Sequence, residues 1–472
     1  MDAALLELQS RLPAEVIDVD PHSLQSYGQD WTRFSKVNAS VVLKPQTIEQ
    51  IQTIIALAKR HQCRIVPSGG RTGLAGGAVA TQGEWILSMD RFCRMGTLNT
   101  AALSLECEAG VTLEKLQEHL SSTPWQWPVD LASKGSAQIG GLLSTNAGGL
   151  KVIRYGHVRR WVQSITMVDG ESRVQVLNGP IDKNNSGYNF RELVIGAEGT
   201  LGVLVAAHLK LCRKPQRRVH ALRPAQSVKH CLESLIAARS FPLELEAFEF
   251  FSQDCVNAVL KHRPDLKSLP PAPWYCLWSW DASVGMPWDL SPDEFKAGSW
   301  LESAILVEDS SAHEIWAYRE SITEALSTRG LVYKNDVAVP VDKLEDFLKE
   351  LQSFCARAYQ GFEVYFFGHL GDGNVHINIV NPNRDSPEAF RAHCESTNPS
   401  LYACVANYGG SCAAEHGIGL LKKKELLLTR GPSQVEWMKQ VKKVFDPHGL
   451  FNPGKIFEAD CQIPTAQEDS NT

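Results

Sequence analysis

Residues 67–77 read PSGGRTGLAGG, five glycines in eleven positions at the end of the apolar run RIVP (64–67). A residue without a Cβ lets backbone N–H groups come close to an anion. Successive N–H groups in such a turn form an anion-holding nest. Upstream, Thr47-Ile48-Glu49-Gln50 has the form of a helix start, with Thr47 as N-cap and Gln50 as its capping-box partner. Ile48, Ile51, Ile55 and Ala58 then recur at helical spacing. Helix, strand and glycine loop in that order predict an α/β layer.

Two further stretches of the same kind follow, IGGLLSTNAGG (139–149) and IGAEGTLGV (195–203). Before the second, Leu103, Leu105 and Cys107 alternate as a strand, and VTLEKLQEHL (111–120) reads as a helix. The third leads into the apolar strand VLVAAHLKLC (203–212). Turn chemistry alone explains any one glycine loop. Three, each beside a strand or a helix start, point to a common anionic ligand. None carries the Gly-Lys-Ser/Thr of a phosphate loop. Glycines 69, 70, 73, 76 and 77 lack Gly-x-Gly-x-x-Gly spacing, and no acidic ribose ligand is suitably placed. A dinucleotide held by these loops is held in a manner other than the Rossmann one.

From about residue 213 glycine thins out and aromatics and prolines rise. LPPAPWYCLWSW (269–280) reads as a Pro- and Trp-rich connection. A boundary near 213–220 divides the chain into 1–215, 216–420 and a C-terminal segment, 421–472. In that segment PSQVEWMKQVKKVFDPHGLFNPGKIF (432–457) predicts a helix stopped by Asp446-Pro447, then a turn-rich return. The polar tail after Phe457 reads as frayed.

A chain of 472 residues exceeds one ordinary core, so two or more domains are expected. The formal net charge of −6 argues against a nucleic-acid partner. Lys422-Lys423-Lys424 reads as a solvated helix face. The 12 cysteines form no Cys-x-x-Cys pair, and the first residues show no secretory signal, which predicts free thiols in a reducing cytoplasm. No apolar run reaches the ~18 residues of a membrane span.

Chemistry concentrates late in the chain. GHLGDGNVHINI (368–379) reads as a hairpin with Asp372-Gly373 as a two-residue loop. Counting outward sets His369 opposite His376, with Cβ atoms about 5 Å apart. Alternation puts Asn374, His376 and Asn378 on one face and Val375, Ile377 and Ile379 on the other. Two histidines so placed either share a metal or form a hydrogen-bonded pair. AAEHGIG (413–419) offers Glu415 and His416, and two histidines with one carboxylate make a recurring catalytic metal set. Zinc suits it, and the ligand types also admit iron, manganese or cobalt. In RESITEALSTRGLVYKNDVAVP (319–340), Arg319 and Thr323 lie four apart on a predicted helix, and Lys334 follows on a strand. An Arg fork, an ammonium and a hydroxyl suit a carboxylate; a salt-bridged surface helix is the plainer reading.

PSGGRTGLAGG, PVDLASKGSAQIGGLLSTNAGGLKVIRYG (128–156) and GYNFRELVIGAEGTLGV (187–203) together resemble the FAD domain of the vanillyl-alcohol-oxidase-like flavoproteins. The resemblance implies an α+β fold: a two-subdomain FAD-binding domain followed by a substrate (cap) domain built on an antiparallel sheet. It assigns FAD contacts to Pro67, Ser68, Gly69, Gly70, Arg71, Thr72 and Gly73 in the first loop. Asp130, Ser133, Gly140, Gly141, Ser144, Asn146 and Gly148 follow in the second, and Glu198, Gly199, Gly202 and Val203 in the third. Asn452, in FNPGK, matches the family's C-terminal return to the flavin. Covalent members often carry His after the Gly-Gly pair. Arg71 stands there, so non-covalent FAD is expected.

Arg-x3-Thr…Lys, GHLGDGNxHxN and AEHGxG resemble the D-2-hydroxyglutarate branch of the FAD-linked D-2-hydroxy acid dehydrogenases, over about residues 35–458. That resemblance implies zinc on His369, His376 and Glu415, and substrate on Arg319, Thr323, Lys334, Asn378 and His416. His416 becomes the expected general base, with a hydride passing to flavin N5. Lactate, malate and glycolate are alternative substrates. An alkyl-transferring flavoprotein and a non-enzymatic flavin or metal sensor are the other readings. The expected partners are a small 2-hydroxy acid and an electron acceptor, either an electron-transfer flavoprotein or a quinone. A homodimer is compatible with the same resemblance.

Overall fold

The computed structural model describes residues 3–32, 35–283 and 300–458; the tail expected to fray falls largely outside them. The first layer is a four-stranded sheet in the order Ile17–Asp18, Ala39–Leu43, Glu84–Ser88, Ile65–Ser68. Its last three strands run parallel. The helix Ile48–Arg60 packs Ile51, Ile54, Ile55, Leu57 and Ala58 against the core. Thr47 caps it by accepting from the Gln50 N–H, while Gln50 Oε1 reaches back to Gln46 N at 2.7 Å. The capping box is therefore present, with its reciprocal bond shifted one residue upstream.

The second layer is antiparallel, in the order Ser104–Glu108, Val203–Lys210, Val162–Val168, Val174–Leu177. Leu105 and Cys107 are buried strand residues as expected. Leu103 precedes the strand in a left-handed turn (φ +47). One hydrophobic core unites both layers and takes in Phe445, Leu450 and Phe451 from the far end of the chain.

The third layer is a seven-stranded antiparallel sheet. Its order is Ile305–Glu308, Arg218–Ala225, Trp274–Asp281, Glu244–Ser252, Glu363–His369, Asn374–Asn381, Leu331–Ala338. Helices cover both faces, so its middle strands bury residues on both sides. WYCLWSW is thus a central strand and not a connection. Trp274, Cys276, Trp278 and Trp280 enter one core, and Tyr275 and Leu277 the other. A continuous apolar run marks such a strand, and the flanking prolines disguised it.

The helix Lys423–Phe445 kinks at Gly431 and stops at Asp446, whose carboxylate accepts from Leu450 N and Phe451 N. The returning chain then bonds to the first sheet, through Ile65 N to Leu450 O and Asn452 N to Ile65 O. Lys422 corrects the expectation of a solvated lysine run. It is buried, and its Nζ donates to Asp336 O at 3.2 Å and Cys412 O at 2.8 Å. The fold is the expected α+β one, with two small sheets in the first half and an antiparallel sheet in the second. No disulfide joins the cysteines among the described residues, and no helix among them is long and apolar enough to cross a membrane.

Candidate functional site

Val375, Ile377 and Ile379 are fully buried beneath the sheet, while Asn374, His376 and Asn378 take its other face. Alternation decided that correctly. The register differs from the expected one. Pairing runs Tyr365 to Asn378 and Phe367 to His376, two residues out of step with His369 opposite His376. The turn is longer than Asp372-Gly373, because Leu370–Asp372 forms a helical turn before Gly373 (φ +79). A slip of two keeps every side chain on its face. His369 and His376 become diagonal neighbours with ring centroids 5.3 Å apart.

Both imidazoles are fixed through Nδ1. His369 Nδ1 lies 2.6 Å from Glu249 Oε1, and His376 Nδ1 lies 3.2 Å from Asp336 Oδ1. Each ring thus has a carboxylate on Nδ1, the usual second partner of a metal-binding histidine, which leaves Nε2 for the site. Glu415 completes the set: one donor atom from each of His369, His376 and Glu415 lies within 4.8 Å of the others. Two imidazole nitrogens and a carboxylate oxygen suit a divalent transition ion. Burial pulls the His369 imidazole down, but the Glu249 and Glu415 carboxylates outweigh it and push it up to about 9.

The loop bearing Glu415 is held from three sides. Glu415 N donates to Asp336 Oδ2 at 2.9 Å, and Gly149 N donates to Glu415 Oε1 at 3.2 Å. The buried Glu198 carboxylate accepts from Ile418 N and Gly419 N, both at 2.8 Å. Gly417 (φ +77) is required there, since a Cβ would sit 2.8 Å from the Glu198 carboxyl carbon. His416 then stands with Nδ1 3.7 Å from Asp336 Oδ2 and its ring 6.4 Å from that of His376. Burial lowers its pKa, opposed by Asp336.

The residues expected to bind substrate divide. Asn378 is buried and pairs in register with Lys334 on the edge strand. Lys334 Nζ lies 4.1 Å over the Trp31 ring, and burial pulls its ammonium down to about 8. Arg319 is buried, donates Nε to Glu249 Oε2 at 2.8 Å and lies over the Phe367 ring. Thr323 falls on the next helix, Ile322–Arg329, and is exposed. The break at Ser321 separates it in environment from Arg319.

Among the described residues, no protein acceptor takes up the backbone N–H groups of Gly69, Gly70, Arg71, Thr72 or Gly73. Gly70 backs directly onto the second loop, where a Cβ would meet Ser136 O at 1.8 Å. Beside them Gln138 Oε1 is buried without a partner, and Gly141 faces open space. Free donors along a glycine loop suit a pyrophosphate. Arg71 Nη1 bonds Gly69 O at 2.7 Å, and its guanidinium lies over Tyr27. Pro67 and Ser68 end the parallel strand that launches the loop. Gly140 and Ser144 lie on the helix Ile139–Thr145, which Asn146 ends in a left-handed turn. Asn452 Nδ2 donates to Glu198 O at 2.7 Å, and Gly199 lies against that amide. Gly148 lies close to Glu415, and Gly202 packs on Met167. Val203 is a core residue, Ser133 is exposed, and Asp130 Oδ1 accepts from Gln117 Nε2 at 3.4 Å.

Glu249 and Asp336 escaped the sequence reading. Each is an acid inside a buried strand, ELEAFEFFS or LVYKNDVA, and that misplacement is the signal that could have found them.

Residues 39–178 match the FAD binding domain family, and residues 214–456 match the C-terminal domain of FAD linked oxidases. The D-2-hydroxyglutarate dehydrogenase of Xanthomonas citri pv. viticola is 39% identical over 97% of this chain and 97% of its own. The mitochondrial D-2-hydroxyglutarate dehydrogenase of Danio rerio is 33% identical over 94% of this chain and 83% of its own. Among solved structures, p-cresol methylhydroxylase superposes with a TM-score of 0.76 at 14% identity, covering 98% of this chain and 97% of that one.

Proposed function

This chain belongs to the D-2-hydroxyglutarate dehydrogenase family and is an FAD-dependent dehydrogenase, and on that premise we propose that it oxidises D-2-hydroxyglutarate to 2-oxoglutarate. One observation carries the reading. His369, His376, Asn378 and Lys334 occupy one face of the cap sheet, with Glu415 and Arg319 beside them. That row offers polarising, proton-accepting and anion-binding groups side by side.

The reaction removes a proton from the 2-hydroxyl and a hydride from the α-carbon, and the carbonyl forms between them. FAD, held without a covalent bond by the three glycine loops, supplies the hydride acceptor. An ion on His369, His376 and Glu415, zinc in our reading, supplies Lewis-acid polarisation of the substrate oxygens. His416 accepts the hydroxyl proton, and the buried Asp336 carboxylate beside it stabilises the imidazolium that results. Arg319, its Nε spent on Glu249, has its two terminal nitrogens left for a carboxylate. Lys334 and Asn378 receive the remote carboxylate, and Thr323 adds a hydroxyl from the exposed rim. An electron-transfer flavoprotein or a quinone then takes the electrons. The free thiols fit a reducing compartment such as the cytoplasm.

Anaerobic titration of the purified flavoprotein tests this. D-2-hydroxyglutarate should bleach the flavin and release one 2-oxoglutarate per FAD. Bleaching by D-lactate, D-malate or glycolate alone would move the assignment to another 2-hydroxy acid.

A further inference from the structure

Trp31 is a large aromatic left more than half exposed, at 53%. Its position is nevertheless fixed. The neighbouring Asp30 is buried, and its carboxylate accepts from Thr32 N at 3.0 Å, Thr32 Oγ1 at 2.5 Å and Gly76 N at 2.8 Å. The turn is thus pinned to the first glycine loop and carries the indole across to the far edge of the cap sheet. There it meets Lys334, whose ammonium lies 4.1 Å from the ring centroid. Among the described residues Lys334 has no carboxylate or carbonyl partner. A half-buried lysine held by a ring face keeps its other N–H donors for an incoming anion.

We propose that Trp31 is a specificity-determining residue: its indole forms the wall against which Lys334 is held to receive the remote carboxylate of a dicarboxylic 2-hydroxy acid. The inference rests on the reading above, in which Lys334 binds that carboxylate. It adds a residue from the cofactor-binding half of the chain to a subsite on the cap sheet. Without the ring, the long side chain regains its rotamers and must be ordered anew by each substrate. Trp31 touches the lysine and not the reacting atoms, so it acts on KM.

The test is a double-mutant cycle on the FAD-loaded enzyme with Trp31→Ala, Lys334→Met and the pair. Trp31→Ala should raise KM for D-2-hydroxyglutarate roughly five- to tenfold while kcat stays within about twofold. Trp31→Phe should recover most of the loss. In the Lys334→Met background, Trp31→Ala should add nothing, because the contact is already gone. Losses that multiply in the double variant, or a fall in kcat with KM unchanged, would overturn the proposal. Flavin content and melting temperature report whether the turn at Asp30 has held; an Asp30-anchored turn that unfolds on loss of the indole also overturns it. If Lys334→Met alone leaves KM for the dicarboxylate unchanged, the role of Lys334 fails first, and the Trp31 proposal falls with it.

Discussion

Glu249 Oε1 lies 2.6 Å from His369 Nδ1, and the other oxygen of the same carboxylate takes the Nε of Arg319 at 2.8 Å. One fully buried acid thus orients a candidate metal ligand and a candidate substrate arginine. Burial raises its pKa, and the charges of His369 and Arg319 outweigh that and hold it low. Removing one partner of such a buried set strands the others. Glu249→Gln should lower metal affinity about 10–100-fold, the usual cost of losing a second partner of a metal-binding histidine. It should also raise KM, because Arg319 loses its anchor. Metal analysis after dialysis and steady-state kinetics check both. Full metal retention with normal KM would count against the coupling.

His416 offers a cleaner separation of chemistry from binding. Its loop is anchored through Glu415 N, Ile418 N and Gly419 N, none of which involves its own side chain. His416→Ala should therefore keep FAD and metal while losing about 10²-fold or more in turnover. Near-normal turnover in a variant with full flavin content would remove His416 as the base.

How much of this was legible in the chain differs from feature to feature. The glycine loops were, because close backbone approach to an anion leaves few residue choices. The polar face of Asn374, His376 and Asn378 was, because a strand has a strict period of two. The register was not, because Asp372-Gly373 gives no sign that Leu370 joins the turn. Trp274–Asp281 was misread because three prolines precede it and a doubly buried strand has no alternation. Glu249 and Asp336 stand out as acids inside strands, but what they hold in place was not legible. Their partners lie 120 and 40 residues away and meet them only through the order of the cap sheet.

Chelation separates the two candidate cofactors. The glycine loops and the His369–His376–Glu415 set share a single direct hydrogen bond among the described residues, Gly149 N to Glu415 Oε1. Dialysis against a chelator should abolish turnover and leave the oxidised flavin spectrum and its stoichiometry intact. Zinc, or another ion suited to two imidazoles and a carboxylate, should restore activity. Loss of the flavin together with the metal would show that the sites are structurally inseparable.

Lys334 gives the chain a pH dependence of definite sign. Its ammonium is pulled from 10.5 down to about 8 by burial, so in the substrate-free protein it is charged below about pH 8 and neutral above. A dianionic substrate binds the charged form. KM should therefore be flat below about pH 8 and climb above it, approaching tenfold per unit, with kcat little changed. Stability moves the other way. A lysine whose folded pKa is depressed costs the fold while it is charged. That cost is fully present below about pH 8 and is relieved as pH rises through the folded value toward 10.5. Lys334→Met should flatten the KM profile at its high plateau across the same range. A wild-type KM that stays level from pH 7 to 10, with flavin retained, would show that Lys334 does not meet the substrate as a cation.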